Sequence, residues 1–149
     1  MTIQIDVQDL QKRMLLRPNQ IIQIIKKVLR HEGVSRARLS LVLVTPPRMK
    51  ALNQKYLNHC YATDVLAFDL RALKGKQRPC RSKELDGEVI VSTTAAVQQA
   101  RKFGMTPRQE LTLYIVHGIL HLLGFDDHRP NDIKRFRAKE KEILTSLNI

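Results

Sequence analysis

The run His117-Gly118-Ile119-Leu120-His121-Leu122-Leu123-Gly124-Phe125-Asp126-Asp127-His128 puts three of the chain's five histidines within twelve residues. His117 and His121 are four apart, so a helix stacks them on one face, where two imidazole nitrogens can converge on one ion. Gly124 can close that helix in a left-handed cap and turn the chain back, so that Asp127 or His128 supplies a third donor. Three protein ligands leave one coordination position open, the arrangement of a catalytic zinc rather than a structural one. Around the pair the segment is apolar at Leu111, Leu113, Ile115, Val116, Ile119, Leu120, Leu122 and Leu123. A helix apolar all round is buried, and two imidazoles there are costly without partners. That favours a bound metal over hydrogen-bonded core histidines.

A missing residue narrows the chemistry. In the zinc peptidase pattern His-Glu-x-x-His, the glutamate after the first histidine accepts a proton from water. Gly118 stands at that position and has no acceptor, so amide hydrolysis would need a base from elsewhere in the chain. Glycine instead permits close approach of backbone or substrate beside the ion.

The elements that must position this run follow from periodicity. Ile3 to Val7 alternates and predicts an edge strand. Pro18 and Asn19 open a helix with the stripe Ile21, Ile22, Ile25, Val28 and Leu29, closed near Gly33. Arg38 to Thr45 predicts the strongest strand, Pro46 and Pro47 a short helix to about Tyr56, and Thr63 to Leu70 and Glu88 to Ser92 two further strands. Helices over Thr93 to Phe103, Thr106 to Leu123 and Pro130 to Leu147 complete the chain, with Thr106, Pro107 and Glu110 forming a capped start. The expected fold is α+β: one small domain over residues 1–149, a mixed sheet of about four strands packed with helices, and the histidines on a central helix.

The charge balance points to the partner. Lys and Arg number 26 against 14 Asp and Glu, a formal net charge of +12, which favours a polyanion such as nucleic acid. From Arg71 to Lys83, six residues are basic and none is acidic. That predicts a basic loop able to track phosphates through Arg71, Lys74, Lys76, Arg78 and Arg81, with Arg36, Arg38, Arg48, Lys50, Arg101, Lys102 and Arg108 adding charge elsewhere. Cys60 and Cys80 lie in no CxxC spacing and away from the histidines, so reduced thiols without a disulfide partner are expected. No long apolar run or charged leader is read, so a cytoplasmic protein with no membrane association is expected.

The histidine run resembles the signature of the YbeY endoribonuclease family, bacterial ribosomal RNA maturation factors with the pattern His-Gly-x-Leu-His-Leu-x-Gly-Tyr-Asp-His. Leu52-Asn53 through Tyr56, then Thr63-Asp64-Val65-Leu66-Ala67-Phe68, is similar to the family's Pro-Thr-Asp-Val-Leu-Ser-Phe segment. Gly87-Glu88-Val89-Ile90-Val91-Ser92 is similar to its Gly-Asp-Ile-x-Ile-Ser stretch. The resemblance covers most of the chain from about Arg38. It implies a cytoplasmic metalloprotein with one zinc ion per chain on three histidines, acting on single-stranded RNA. Its implied role is maturation of the small-subunit ribosomal RNA 3′ end and ribosome quality control, with the small ribosomal subunit as partner.

Two positions depart from that pattern. The family's third ligand follows the second histidine by six residues, which here is Asp127, with His128 one step later. Imidazole is the more usual companion of two histidines, so His128 is favoured and Asp127 kept as the alternative. Leu57 occupies the place of a family arginine: either another cation such as Arg101 or Arg48 serves instead, or cleavage is weaker here, or that arginine's role was never central. On this reading zinc on His117, His121 and His128 polarises a phosphate oxygen or activates water, and His117 and His121 are the catalytic pair. Asp64 and Glu88 could orient a ligand or act as base, against an ordinary turn or cap role. Tyr61 and Phe125 could stack on an unpaired base, against ordinary packing. His31 and His59 read as solvated helix-end and loop residues. The rival from another class is an RNA-binding ribosome factor whose zinc is purely structural, separated by whether the fourth coordination position is open.

Overall fold

β1 (Thr2–Asp9), α1 (Pro18–His31), β2 (Arg36–Val44), α2 (Pro46–Lys55), β3 (Val65–Asp69), α3 (Leu70–Leu73), β4 (Glu84–Ser92), α4 (Thr93–Phe103), α5 (Pro107–Leu122) and α6 (Pro130–Ser146) follow in chain order. They come from a computed structural model that describes residues 2–11, 13, 15–55, 64–73 and 84–148. The strands form one mixed sheet in the order β1-β2-β4-β3. β1 and β4 run parallel to β2, and β3 pairs antiparallel with β4 through Ala67 opposite Val89. Parallel neighbours need a crossover, and α1 supplies it between β1 and β2. The α+β class with a four-stranded mixed sheet is therefore the one expected, and β1 is the edge strand foreseen.

The period of two along the strands divides the core. Ala37, Leu39, Leu41 and Leu43 of β2, with Leu85, Val89 and Val91 of β4, are buried in one cluster with α1, α5 and α6. On the other face Val42, Val44, Leu66 and Ile90 pack under Met49 of α2. α1 contributes Ile21, Ile25, Val28 and Leu29 of the stripe read from its sequence, whereas Ile22 is only half-buried. No helix among the described residues is long and apolar enough to cross a membrane.

Two boundaries differ from expectation. β4 begins at Glu84 rather than Glu88, because Leu85 and Gly87 register with Ala37 and Leu39 while Glu84, Asp86 and Glu88 fall opposite the outward-facing positions of β2. An acidic alternate row hid the first half of the strand, and Glu88 is a mid-strand residue rather than a strand end. The expected loop from Arg71 begins instead with the turn of α3, where the Arg71 N–H donates to Asp69 Oδ1 at 3.0 Å and its guanidinium Nε lies 3.7 Å from the same oxygen. Leu57, His59, Cys60, Tyr61, Lys74, Lys76, Arg78, Cys80 and Arg81 lie outside the described residues.

Gly118 is where α5 meets the sheet. A Cβ built there would stand 2.6 Å from Val89 Cγ1 of β4 and 3.1 Å from its Cγ2. The close approach that glycine permits is thus taken by the strand. Substituting Gly118→Ala should cost about 1–3 kcal/mol by overpacking, measurable as a lowered urea midpoint. An unchanged midpoint would show that the contact relaxes freely.

Candidate metal centre

Both ends of α5 are fixed by local chemistry. Thr106 caps the start: its hydroxyl accepts from Gln109 N at 3.2 Å while Gln109 Oε1 accepts from Thr106 N at 2.9 Å, a reciprocal box with Pro107 behind it. At the other end Gly124 takes φ 101°. Its N–H donates to the His121 carbonyl at 3.1 Å and the Phe125 N–H to the Leu120 carbonyl at 3.0 Å. This is a Schellman closure, in which a left-handed glycine lets the next side chain fold back on the helix. Phe125 accordingly packs on the core cluster with the Lys139 ammonium 5.7 Å from its ring centroid.

That turn returns an acidic side chain to the histidine pair. His117 Nε2 and His121 Nε2 are 3.1 Å apart. Asp127 Oδ2 lies 3.5 Å from His121 Nε2 and 4.0 Å from His117 Nε2. A tetrahedral zinc with bonds of about 2.0–2.1 Å sets its donor atoms about 3.3 Å apart, and the three distances bracket that spacing. The residues therefore fit a divalent ion in the preference order of zinc ligands, two imidazoles and a carboxylate. His121 is buried, whereas the side chains of His117 and Asp127 retain 25% and 27% of their exposure, so the cluster has a solvent side.

Sequence reasoning favoured His128 over Asp127. The side chain brought to the pair is that of Asp127. His128 is 77% exposed, and its imidazole pairs with the Asp126 carboxylate, which raises the imidazole pKa above its ordinary 6.5 and lowers that of Asp126. Asp127 belongs to two groupings of close donor atoms, one with His117 and His121 and one with Asp126 and His128. The reason is rotational. With Phe125 docked on the core, the intervening Asp126 faces solvent and the sixth residue after His121 faces inward.

α6 covers the site from the other side. Phe136 is buried with its ring centroid 4.6 Å from that of His117 and 4.7 Å from that of His121. One turn on, Glu140 Oε2 lies 2.9 Å from His117 Nδ1. Sequence reasoning missed both. The available signal was the stripe Ile133, Phe136, Glu140, Ile143 and Leu147, in which a carboxylate holds a position that helical spacing assigns to the core.

Other expected participants are dispersed. Arg48 and Arg101 are exposed on α2 and α4, and Arg71 sits beside Asp69. Glu88 alternates with Val89 and so faces away from α5. Asp64 precedes β3, where its carbonyl accepts from Ser92 N at 3.0 Å, and its charge joins burial in raising the Tyr114 hydroxyl pKa above the ordinary 10.0. His31 ends α1 with its Nδ1 2.8 Å from Glu32 Oε2, a helix-end residue as read.

Comparison with known proteins gives a consistent picture. The family model described as Endoribonuclease YbeY matches residues 4–148. Proteins called Endoribonuclease YbeY include one from Salinibacter ruber, 37% identical over 124 residues, spanning 83% of this chain and 79% of the relative. Another, from Anaeromyxobacter dehalogenans, is 39% identical over 111 residues, so the match spans 74% of this chain and about half (54%) of that relative. A third, from Listeria monocytogenes, is 30% identical and aligned over 99% of this chain and 97% of its own. A solution structure of a Thermotoga maritima protein, 21% identical, superimposes with a TM-score of 0.60 over 99% of this chain and 92% of that one, a likeness of fold.

Beside the cluster, Glu110 is buried at 4% exposure in the first turn of α5. Burial first, then the charge of Glu140, raise its pKa above the ordinary 4.5. A raised carboxyl favours the folded state fully below 4.5, and that contribution is lost as pH rises through the folded value. Glu110→Gln should therefore gain stability relative to the parent as pH rises from 4.5 to neutrality. Urea unfolding across that range should show the two curves diverging; parallel curves would mean Glu110 titrates normally.

Proposed function

Because the chain belongs to the YbeY endoribonuclease family, we propose that it is a zinc-dependent, single-strand-specific endoribonuclease. Its proposed role is maturation of the small-subunit ribosomal RNA 3′ end and ribosome quality control in the cytoplasm. The observation that carries the proposal is the convergence of His117, His121 and Asp127 within 4.8 Å at a partly exposed edge. Zinc enters as one ion per chain held by those three residues, with Asp127 in the third place rather than His128. When bound, it would supply Lewis acidity toward a phosphodiester oxygen.

The chain's own residues do the rest. His121, buried between α5 and Phe136, is held rigidly, whereas His117 and Asp127 border solvent and leave room for a strand to approach. Gly118 contributes no base, which disfavours amide hydrolysis. The net charge of +12 draws a polyanion by long-range attraction, and Arg48, Arg71 and Arg101, with Lys74, Lys76, Arg78 and Arg81, are proposed as phosphate contacts. The ribosomal RNA and small subunit are the proposed partners.

The test is cleavage of single-stranded and duplex RNA by metal-replete protein at controlled salt. His117→Ala and Asp127→Ala should each lower single-strand cleavage by more than about a hundredfold, as expected where a metal is worth several kcal/mol. His128→Ala should keep most of it. Survival of cleavage in His117→Ala would refute the metal mechanism. Loss in His128→Ala with retention in Asp127→Ala would return the third place to His128.

A further inference from the structure

We infer that Glu140 of α6 is a positioning residue, which fixes His117 as the Nδ1–H tautomer and so aims its Nε2 lone pair at the cation site.

The inference rests on the metal reading above, but its geometry does not need the ion. His117 presents two nitrogens to different neighbours: Nδ1 faces Glu140 Oε2 at 2.9 Å, and Nε2 faces His121 Nε2 and the Asp127 carboxylate. A carboxylate only accepts, so the shared proton is the Nδ1–H of His117. A neutral imidazole that donates through one nitrogen has its lone pair on the other. The Glu140 contact therefore selects the tautomer in which Nε2 can ligate.

Several features show that this contact is built into the fold. The Glu140 side chain is only 12% exposed, and a carboxylate so placed is costly unless hydrogen-bonded. The cation next to it in sequence is engaged elsewhere, since Lys139 Nζ donates to Glu142 Oε2 at 3.1 Å and Glu32 Oε2 at 3.4 Å. One turn before Glu140, Phe136 lies against both imidazoles and restricts ring rotation. Two residues of one helix thus set the tilt and the proton position of a histidine on another. Partners of this kind are typically worth a ten- to hundredfold change in metal affinity.

The test uses the whole chain with Glu140→Leu, Glu140→Gln and, as control, His117→Ala. First, imidazole 15N shifts are recorded for metal-free protein at pH 8, where an ordinary histidine is neutral. The parent should show His117 protonated on Nδ1 and Glu140→Leu a shift toward the Nε2–H form, with Glu140→Gln, whose amide oxygen still accepts, close to the parent. Second, Zn2+ affinity is measured by competition with a chromophoric chelator. Glu140→Leu should bind about ten- to a hundredfold more weakly, with Glu140→Gln restoring most of the loss. A parent already in the Nε2–H form, or equal zinc affinity in Glu140→Leu and the parent, overturns the inference. If His117→Ala binds zinc like the parent, the metal reading fails instead, while the tautomer measurement still decides the role of Glu140.

Discussion

The rotation of α5 about its own axis is set where the helix has no side chain, at Gly118, and the site follows from that rotation. Leu111, Ile115, Gly118 and Leu122 form one row along the helix at spacings of four, three and four. Gly118 meets Val89, and Leu122 approaches the position of Gly87 on β4, so this row lies on the sheet. Shifted by one residue, Glu110, Tyr114, His117 and His121 form a parallel row with the same spacing. Once the first row is seated, the second is turned toward α6, and no freedom remains to rotate the imidazoles independently of the core.

Polar groups on a buried helix need partners, and two parts of the chain supply them to the histidine pair. The Schellman turn at Gly124 returns Asp127 to the outer end of the row. α6 brings Phe136 across the ring faces and Glu140 onto His117 Nδ1. Nearer the helix start, burial and neighbouring carboxylates raise the pKa values of Glu110 and Tyr114, so both groups hold their protons more tightly. The row therefore runs from proton-retaining groups at Glu110 and Tyr114 to the histidine pair, where His121 stays buried and His117, with Asp127 beside it, reaches solvent.

What the sequence revealed depended on whether the governing contact was local. The facing of His117 and His121 follows from helical period alone, and the glycine closure from the residues around it. The third donor was harder, because 127 and 128 differ only in rotation past Phe125, and that rotation is settled by where the aromatic ring docks. Glu140 has a partner 23 positions away, beyond any periodicity; only its place within an apolar stripe marked it. The first half of β4 escaped notice because Glu84, Asp86 and Glu88 occupy the outward row, and acidic residues are poor strand formers by composition. Its hydrogen-bonding place between β2 and β3 overrode that preference.

The charge around the cluster runs opposite to that of the whole molecule. In a chain of net charge +12, the histidine pair is flanked by the carboxylates of Asp127 and Glu140. Taken alone, two neutral imidazoles and two carboxylates repel a phosphate backbone at short range, within the Debye length of about 8 Å at physiological salt. A divalent cation held by the three donors would offset both negative charges and leave the immediate site near neutrality. A third histidine in place of Asp127 would leave it positive. On the proposed function, such a donor set would leave attraction of a polyanion to the distributed lysines and arginines, and a bound cation would supply polarising capacity with little net charge to trap a cleaved, still anionic strand.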